Sequence, residues 1–397
     1  MRLSNYYAAG LLALSAMFTV PSASAATNAG HKHPRQELGT AAAFDAQGRL
    51  WIAGKEAIPG GAYVVVQSSD DLGKTWSAPR RVQEVPEPLA ADGEARPKLA
   101  FGKQGEMYLT YTKPLSKPYT GEIRFVRSAD GGKTFSTPVT VHANRDEITH
   151  RFDSITVDRE GRIYVTWIDK RDLEAAAARG EKYAGAAIYY AVSEDAGKSF
   201  RGDYKIADHS CECCRVGLVP GPKDGVVALW RHVFDGHTRD HAIATLDPSG
   251  AAPALQRATF DDWKVDACPH HGPSVAFTPD GRRHQTWFNV KDGEGGIYYA
   301  SAQTDGSLGQ PRRLGSPQAV HPDVVTNGDR VAVAWKQFDG KATVVVARLS
   351  DDAGRTWHEK VVARTTGASD QPRLAAGQPG IVLVWRTQEG VQTVLLK

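Results

Sequence analysis

The sequence predicts an all-β fold, specifically a β-propeller built of four-stranded antiparallel blades. One observation is a segment of the form Ser-x-Asp-x-Gly-x-Ser/Thr-aromatic that occurs four times in the chain. The copies are Ser69–Trp76, Ser128–Phe135, Ser193–Phe200 and Ser350–Trp357. The other is a set of seven short apolar strands at regular spacing, six of which end on a large aromatic residue. Repeated turns between short strands indicate a sheet unit that is repeated around an axis.

The repeated segment has the composition of a tight turn. Its Asp and Ser side chains accept hydrogen bonds from nearby backbone N–H groups, and its Gly tolerates a positive φ. The aromatic residue then opens the next strand and packs under the turn. The acidic residues of these segments are therefore interpreted as holding turns, although isolated acids in a repeat also suggest catalysis.

These segments resemble the Asp box, or bacterial neuraminidase repeat, of sialidase-like β-propellers. The resemblance covers the chain from about Gly39 to its end and implies the propeller fold. It also implies six blades, the usual number in sialidases, whereas the repeat count favours seven. The count rests on innermost strands that are expected to start near Gly39, Arg96, Phe152, Arg215, Gly272, Pro322 and Pro372.

The N-terminus has the features of a secretory signal peptide. Arg2 precedes an apolar run from Ala8 to Val20, and Ala23-Ser24-Ala25 is a small-x-small cleavage site. We expect cleavage near Ala25 and a periplasmic or secreted protein, because the run is too short and interrupted to predict a membrane span. Residues 26–37 are then an N-terminal segment that supplies a ring-closing strand, and residues 38–397 form a single propeller domain. The net charge of +3 is too balanced to suggest a nucleic-acid partner.

Propeller topology assigns the two ends of each blade different roles. The repeated turns share one face, called here the Asp-box face. The connections between blades lie on the opposite face, called here the connection face, where they surround the mouth of the central channel. Loops carried on a rigid scaffold are common sites of function. The residues predicted to bind a ligand there are Arg96, Arg151, Arg215, Arg231, Arg239, Arg373 and His321.

Arginine forks at a channel mouth favour an anionic ligand. The resemblance implies an exo-glycosidase of the sialidase type, in which three arginines hold the carboxylate of an acidic sugar. Arg96, Arg151 and Arg215 are the candidates for this clamp, and Asp169 is a further catalytic candidate. However, the Arg-Ile-Pro segment and the Tyr/Glu pair of sialidases have no clear match here. An alternative is that the arginines pair with acids of the chain such as Glu94 or Asp153.

All four cysteines of the chain fall in two adjacent connections. They are Cys211, Cys213, Cys214 and Cys268, and they are interleaved with His209, His270 and His271. Three interpretations remain open: two disulfides in an oxidising compartment, a site for copper or zinc, or one disulfide beside a reactive thiol.

The sequence thus supports three functions. The first is an exported propeller whose Cys/His/Arg site at the channel mouth binds a transition metal or another small ligand. The second is a sialidase-type glycosidase, and the third is a disulfide-stabilised scaffold that binds a protein or glycan. A short helix expected between Asp172 and Lys182 is either a lid over the channel or a surface insertion.

Overall fold

The computed structural model describes residues 37–397, which form seven antiparallel sheets. Six sheets have four strands and the last has three, so the seven-bladed count is confirmed. The innermost strands begin within two residues of the predicted positions. The predicted signal peptide, and all but Glu37 of the predicted ring-closing segment, lie outside the described residues.

The first four blades follow one another in chain order. Blade 1 contains β1 (Ala41–Phe44), β2 (Leu50–Ile58), β3 (Gly61–Ser69) and β4 (Arg80–Arg81). Blade 2 contains β5 (Lys98–Phe101), β6 (Met107–Pro114), β7 (Gly121–Ser128) and β8 (Val139–Thr140). Blade 3 contains β9 (His150–Val157), β10 (Ile163–Asp169), α1 (Arg171–Ala178), β11 (Ala186–Ser193) and β12 (Arg201–Ser210). Blade 4 contains β13 (Gly217–Pro220), β14 (Val226–Arg231), β15 (His241–Leu246) and β16 (Gln256–Arg257), with a 3₁₀ turn at Asp235–His237.

The remaining three blades complete the ring. Blade 5 contains β17 (Ser274–Phe277), β18 (Arg283–Lys291), β19 (Glu294–Ala302) and β20 (Arg312–Leu314). Blade 6 contains β21 (Val320–Asn327), β22 (Arg330–Phe338), β23 (Thr343–Ser350) and β24 (His358–Thr365). Blade 7 contains β25 (Arg373–Gly377), β26 (Gly380–Thr387) and β27 (Gly390–Leu396).

The ring is closed by side-chain packing between blades 7 and 1. Each innermost strand contacts the innermost strand of the next blade, and β25 likewise contacts β1. Leu50 and Ile52 of blade 1 share a buried cluster with Val382 and Val384 of blade 7. Burial of apolar surface at each such junction stabilises the ring as a whole.

The aromatic residues predicted to end the second strands lie one to four residues inside them, because each strand continues further, and they fill the space between blades. Trp167, Trp230, Trp287, Trp335 and Trp385 are each at most 1% exposed. Large side chains at this position suit the wedge-shaped gap between neighbouring twisted sheets, which widens away from the axis. Their role is packing, as the sequence suggested.

The predicted helix forms as α1 and lies against β11. Asp172 in its first turn accepts hydrogen bonds from Tyr189 Oη at 2.8 Å and from Lys205 Nζ at 2.7 Å. These contacts attach the helix to the outer part of blade 3. Within residues 37–397, no helix has the length and apolar character needed to cross a membrane.

The four repeated turns have the same hydrogen bonds. In the third, the Ser193 hydroxyl donates to Asp195 at 2.8 Å and accepts from the Gly197 amide at 2.9 Å. Asp195 also accepts from the Ser199 amide at 2.9 Å and from the Ser199 hydroxyl at 2.6 Å. The acids of these turns therefore bind their own backbone, at the opposite end of the blades from the connections.

The hydrogen bonds of the turn predict an acid-sensitive contribution to stability. Burial raises the pKa of Asp195, but the bonds from Ser199 and Ser193 outweigh it, and the pKa falls from 3.8 to about 2. A depressed pKa stabilises the fold above the unfolded-state value and loses that effect as pH falls through the folded-state value. We expect Asp195→Ala to lower the melting temperature by a few degrees at pH 7 and by much less near pH 2.

The matched control is Glu194→Ala in the same turn, because Glu194 contacts only Arg201 on the surface, at 2.8 Å. Thermal denaturation followed by circular dichroism measures both variants. An equal effect of the two substitutions, or a pH-independent effect of Asp195→Ala, would contradict the assignment.

Candidate functional site

The innermost strands of the seven blades surround an axial cavity of about 700 Å³. Its wall is mostly small and aliphatic, but charged side chains lie on it near the connection face. They include Arg96, Lys98, Arg215, Asp323 and Arg373. The predicted convergence of distant connections around one opening is therefore observed for three of the arginines.

Glu94 is the centre of the contacts at this opening. It is 3% exposed, and Arg215 Nη1 donates to its two carboxylate oxygens at 3.1 and 2.9 Å. Gln371 Nε2 donates to Oε1 at 3.1 Å, and the Gly272 amide does so at 3.4 Å. Burial raises the pKa of Glu94, but the charges of Arg215, His321 and Arg96 and the hydrogen bond from Arg215 together outweigh burial and hold the pKa well below its usual range.

Arg96 is held in the same way by Asp370. Its Nη1 and Nη2 atoms donate to the two Asp370 oxygens at 2.6 and 2.9 Å, and the residue is 3% exposed. Nε donates to the Gly93 carbonyl at 3.0 Å, and Nη1 also reaches the Thr40 carbonyl at 2.9 Å. We call Glu94, Arg96, Arg215, Asp370 and Gln371 the axial carboxylate network.

The network shows whether Arg96 and Arg215 pair with a ligand or with acids of the chain. Arg96 and Arg215 donate hydrogen bonds to carboxylates and carbonyls of the chain, so they are not free to bind the carboxylate of a ligand. The alternative of pairing with acids of the chain holds for both. Glu94 is the partner of Arg215, whereas Asp153 instead accepts hydrogen bonds from Thr110 at 2.6 Å and Thr112 at 3.1 Å.

Two further cations, Arg373 and Lys98, line the cavity. Arg373 has a single carboxylate partner, Asp323, at 3.3 Å, and burial lowers its pKa to about 10. Lys98 Nζ donates to the carbonyls of Glu94 and Arg96 at 3.2 and 2.9 Å, and burial lowers its pKa to about 7. The sequence analysis did not predict Lys98 as a site residue. Lys98 lies on the cavity wall because it is the first residue of β5, two positions after Arg96.

Three cysteines form a compact group behind the channel mouth. The Sγ atoms of Cys211, Cys213 and Cys214 are 3.4, 3.7 and 4.0 Å apart, and the residues are 1%, 4% and 2% exposed. They lie in the connection that follows β12, and β12 ends at the edge of blade 3 opposite to its Asp box. We call these three residues the thiol cluster.

Cys268 approaches the cluster from the next connection. It is exposed, and its thiol is close enough to Cys211 and Cys213 to shift the pKa of both. All four cysteines are free thiols, so the disulfides expected from an exported chain are not formed. The three sulfur atoms of the thiol cluster are 3.4–4.0 Å apart, much farther than the two sulfur atoms of a disulfide.

The cluster favours one thiolate held by its neighbours. Hydrogen bonds from Cys213 and Cys214 lower the pKa of Cys211 well below its usual range, and the positive charge of Arg231 acts in the same direction. Donation to Cys211 raises the pKa of Cys213, and burial raises that of Cys214. The thiolate is the form of cysteine that binds metal ions.

Arg231 is a buried cation beside this sulfur group. It is 1% exposed and its guanidinium donates to carbonyls, at 2.9 Å to Arg239, 3.3 Å to His271 and 2.6 Å to Phe288. Its Nε is buried without a hydrogen-bond partner, and no carboxylate pairs with it among residues 37–397. A buried cation is costly unless a negative charge offsets it, and the thiolate of Cys211 is the nearby candidate.

The other predicted residues take varied positions. Arg151 lies over Phe152 at 4.8 Å, and burial lowers the pKa of its guanidinium. Arg239 donates through Nε to the Val265 carbonyl at 3.1 Å. Asp169 is fully buried, accepts from Trp167 Nε1 at 2.8 Å and pairs with Arg171, so its contacts hold blade 3 together and do not reach the cavity.

The histidines predicted to join the cysteines are directed elsewhere. His209 Nδ1 lies 3.2 Å from the Ala184 carbonyl, and His270 is exposed. His271 packs against His321, with ring centroids 4.4 Å apart, and burial lowers the pKa of His271 to about 4. Among the described residues, the group whose atoms are close enough to hold one metal ion consists of the thiol cluster alone.

Comparisons with known proteins establish the fold and leave the family open. No protein-family model matches the chain, and no curated protein matches its sequence. Solved structures with a similar fold include a polysaccharide lyase of family PL25, an ulvan lyase bound to -[GlcA(1-4)Rha3S]-. It is 13% identical, with 92% of this chain and 91% of that chain covered and a TM-score of 0.57.

Two glycan-active hydrolases are also similar in fold. An α-L-arabinofuranosidase from Fusarium graminearum is 15% identical, with 79% of this chain and 92% of that chain covered and a TM-score of 0.54. The NanB sialidase from Streptococcus pneumoniae is 12% identical over 89% of this chain and 66% of that chain, with a TM-score of 0.42. The polysaccharide lyase and the arabinofuranosidase thus share the fold of this chain, and identities this low transfer no site residues.

The buried Glu94–Arg215 pair predicts a large stability effect. Glu94→Gln keeps the shape of the side chain but leaves the Arg215 guanidinium buried without its counter-ion. Breaking a buried pair in this way costs about 3–5 kcal/mol. We expect urea unfolding at pH 7 to show a loss of this size, with Glu359→Gln on the exposed edge of β24 as the neutral control.

A double variant sharpens this test. Glu94→Gln combined with Arg215→Met removes both charges, so it should cost less than Glu94→Gln alone. A loss below about 1 kcal/mol for Glu94→Gln, or strictly additive losses, would show that the pair does not bear on folding as described.

Proposed function

We propose that this chain is an exported propeller that binds copper(I) or zinc through the thiolates of the thiol cluster, with Cys268 as a fourth ligand. The observation that carries the proposal is the spacing of the three buried sulfur atoms, 3.4–4.0 Å. The residues involved come from one connection and its neighbour on the connection face.

The spacing fits a metal–thiolate site. A Zn–S bond is about 2.3 Å, so two sulfur ligands at tetrahedral angles lie about 3.8 Å apart. The mean of the three observed separations is close to this length. Soft thiolates favour copper(I) and zinc over hard cations, and this limits the class of metal.

The surroundings supply the charge that such a site requires. A thiolate cluster around one of these ions carries net negative charge in a buried position. Arg231 provides a buried positive charge that acts on Cys211 and Cys214. The bound ion would fix the cysteines as thiolates and join two neighbouring blade connections.

The predicted export also supports a metal. Free thiols in an oxidising compartment tend to form disulfides, and ligation to a metal protects them. Metal ligation would therefore keep these four cysteines reduced if the chain is exported as its sequence predicts.

Metal counting tests this proposal. The chain, purified with its predicted leader removed and under reducing conditions, should bind one equivalent of zinc or copper(I) at the cysteines by native mass spectrometry. Cys213→Ser should weaken binding by about 100-fold or more. Competition with chelators of known affinity separates copper(I) from zinc.

Two control variants test whether histidines outside the thiol cluster bind the metal. Replacement of both His31 and His33 by Ala removes the histidines near the mature N-terminus, and His358→Ala removes an exposed histidine on β24. Both should leave the cysteine-bound metal in place. Four thiols that titrate freely in the presence of either metal would refute the proposal.

A second candidate function is binding of an acidic glycan or another small carboxylate in the axial cavity. It is supported by the cavity volume of about 700 Å³ and by Arg373, whose guanidinium is only partly paired. Calorimetry with oligoglucuronate should then show binding that Arg373→Met weakens by at least about tenfold. Arg159→Met, at the opposite end of the cavity, is the control. Equal losses in both variants, or no binding, would exclude this function.

A further inference from the structure

The junction between blades 4 and 5 is packed differently from the rest of the ring. At each of the other six junctions, buried apolar residues of the two neighbouring blades form one shared cluster. Here Val227 and Ile243 of blade 4 cluster with the innermost strand of blade 5, whereas Trp287 and Tyr298 form a separate cluster within blade 5. A cavity of about 460 Å³ lies at this junction, a volume typical of small-molecule sites.

The sequence of blade 5 explains why this junction is open. In each blade that carries an Asp box, the aromatic residue of the box packs into the junction with the preceding blade. Phe200 packs in this way on Phe125, with ring centroids 4.8 Å apart. The other three aromatic residues of this kind are Trp76, Phe135 and Trp357. The corresponding turn of blade 5, Ala302–Leu308, has no Asp box and supplies no aromatic ring.

An arginine without a counter-ion lies on the wall of this cavity. Arg283 is the first residue of β18 and pairs in register with Phe277, which also lines the cavity. Its Nε is buried without a hydrogen-bond partner. Burial lowers the pKa of the guanidinium, and no carboxylate among residues 37–397 offsets this effect. A cation in such a position is stabilised by any anion that binds beside it.

The remainder of the wall is mostly apolar. The single carboxylate on it, Asp247, is used by its own turn, where it accepts hydrogen bonds from the Ser249 amide at 2.7 Å and the Ser249 hydroxyl at 2.5 Å. The apolar residues of the wall include Pro222, Val227, Ile243, Pro253 and Phe277. We call the cavity lined by these residues and Arg283 the junction pocket. Its wall suits an apolar group that carries one negative charge.

We propose that the junction pocket binds a small aryl carboxylate, with its carboxylate on Arg283 and its ring against the apolar wall. The ring is expected because four other junctions hold an aromatic ring of the chain at this place. The carboxylate is expected because the planar guanidinium of arginine matches its two oxygen atoms. This site lies apart from the thiol cluster and goes beyond both functions proposed above.

Calorimetric titration with phenylacetate at pH 7 tests this site. A chelator in the buffer keeps the thiol cluster free of metal, so the result does not depend on the thiolate function. We expect Arg283→Met to weaken binding of phenylacetate by at least about tenfold, because a charged hydrogen-bond donor is lost. Arg312→Met is the matched control, since Arg312 is an exposed arginine on β20 of the same blade and does not line the pocket.

Two comparisons separate the roles of the charge and the ring. Phenylacetamide keeps the ring but is neutral, and acetate keeps the charge but has no ring. Each should bind at least about tenfold more weakly than phenylacetate.

A filling variant tests the location of the ligand without changing Arg283. Thr245 is an exposed residue of β15 on the pocket wall, so Thr245→Phe places a ring of the chain in the pocket. We expect this variant to lose phenylacetate binding and to keep the melting temperature of the parent chain.

The proposal fails if the parent chain shows no heat of binding at millimolar phenylacetate. It also fails if phenylacetamide binds as well as phenylacetate, or if Thr245→Phe and Arg283→Met both bind phenylacetate like the parent chain. If Arg283→Met does not fold, the filling variant and the neutral analogue still decide the result.

Discussion

One buried carboxylate holds the connection face of this propeller together. Glu94 lies in the connection between blades 1 and 2, yet it meets groups from four other connections. They are Arg215, Gly272, His321 and Gln371. A carboxylate removed from water must be matched by donors and positive charge, so each of these connections is held in position by the same requirement. The proposed sites for metal and anion depend on that arrangement.

The pairing of Arg96 with Asp370 has a related effect at the ring junction. Asp370 also accepts a hydrogen bond from the Thr40 amide at 3.0 Å, so blades 1, 2 and 7 meet at one carboxylate. Two of the arginines that suggest a sialidase-like clamp in the sequence, Arg96 and Arg215, serve here as internal cross-links to Asp370 and Glu94. The third, Arg151, lies over the ring of Phe152.

Local features were predictable from the sequence, whereas partners at long range were not. The Ser-x-Asp-x-Gly turns and the tryptophan-ended strands depend on residues within a few positions, so the seven blades and their orientation followed. The convergence of Cys211–Cys214 with Cys268 followed from radial symmetry. Whether the cysteines are free thiols or disulfides was not predictable, because this depends on distances between sulfur atoms that must be known to better than about 1 Å. Likewise, His271 packs against His321, a residue from a different connection. Nothing in the sequence indicated that His271 would contact His321 rather than the cysteines.

The arrangement of contacts at one end of the axis has a practical consequence for cutting the chain. Every member of the axial carboxylate network lies at the connection face, and the turns of the Asp boxes lie at the other. A single proteolytic nick in the turn at Asp195 would sever the backbone of blade 3 without removing any member of that network. The buried ion pairs of the network would each join one fragment to the other, and the tryptophans would still pack between neighbouring blades. The propeller is therefore suited to reassembly from separately produced pieces.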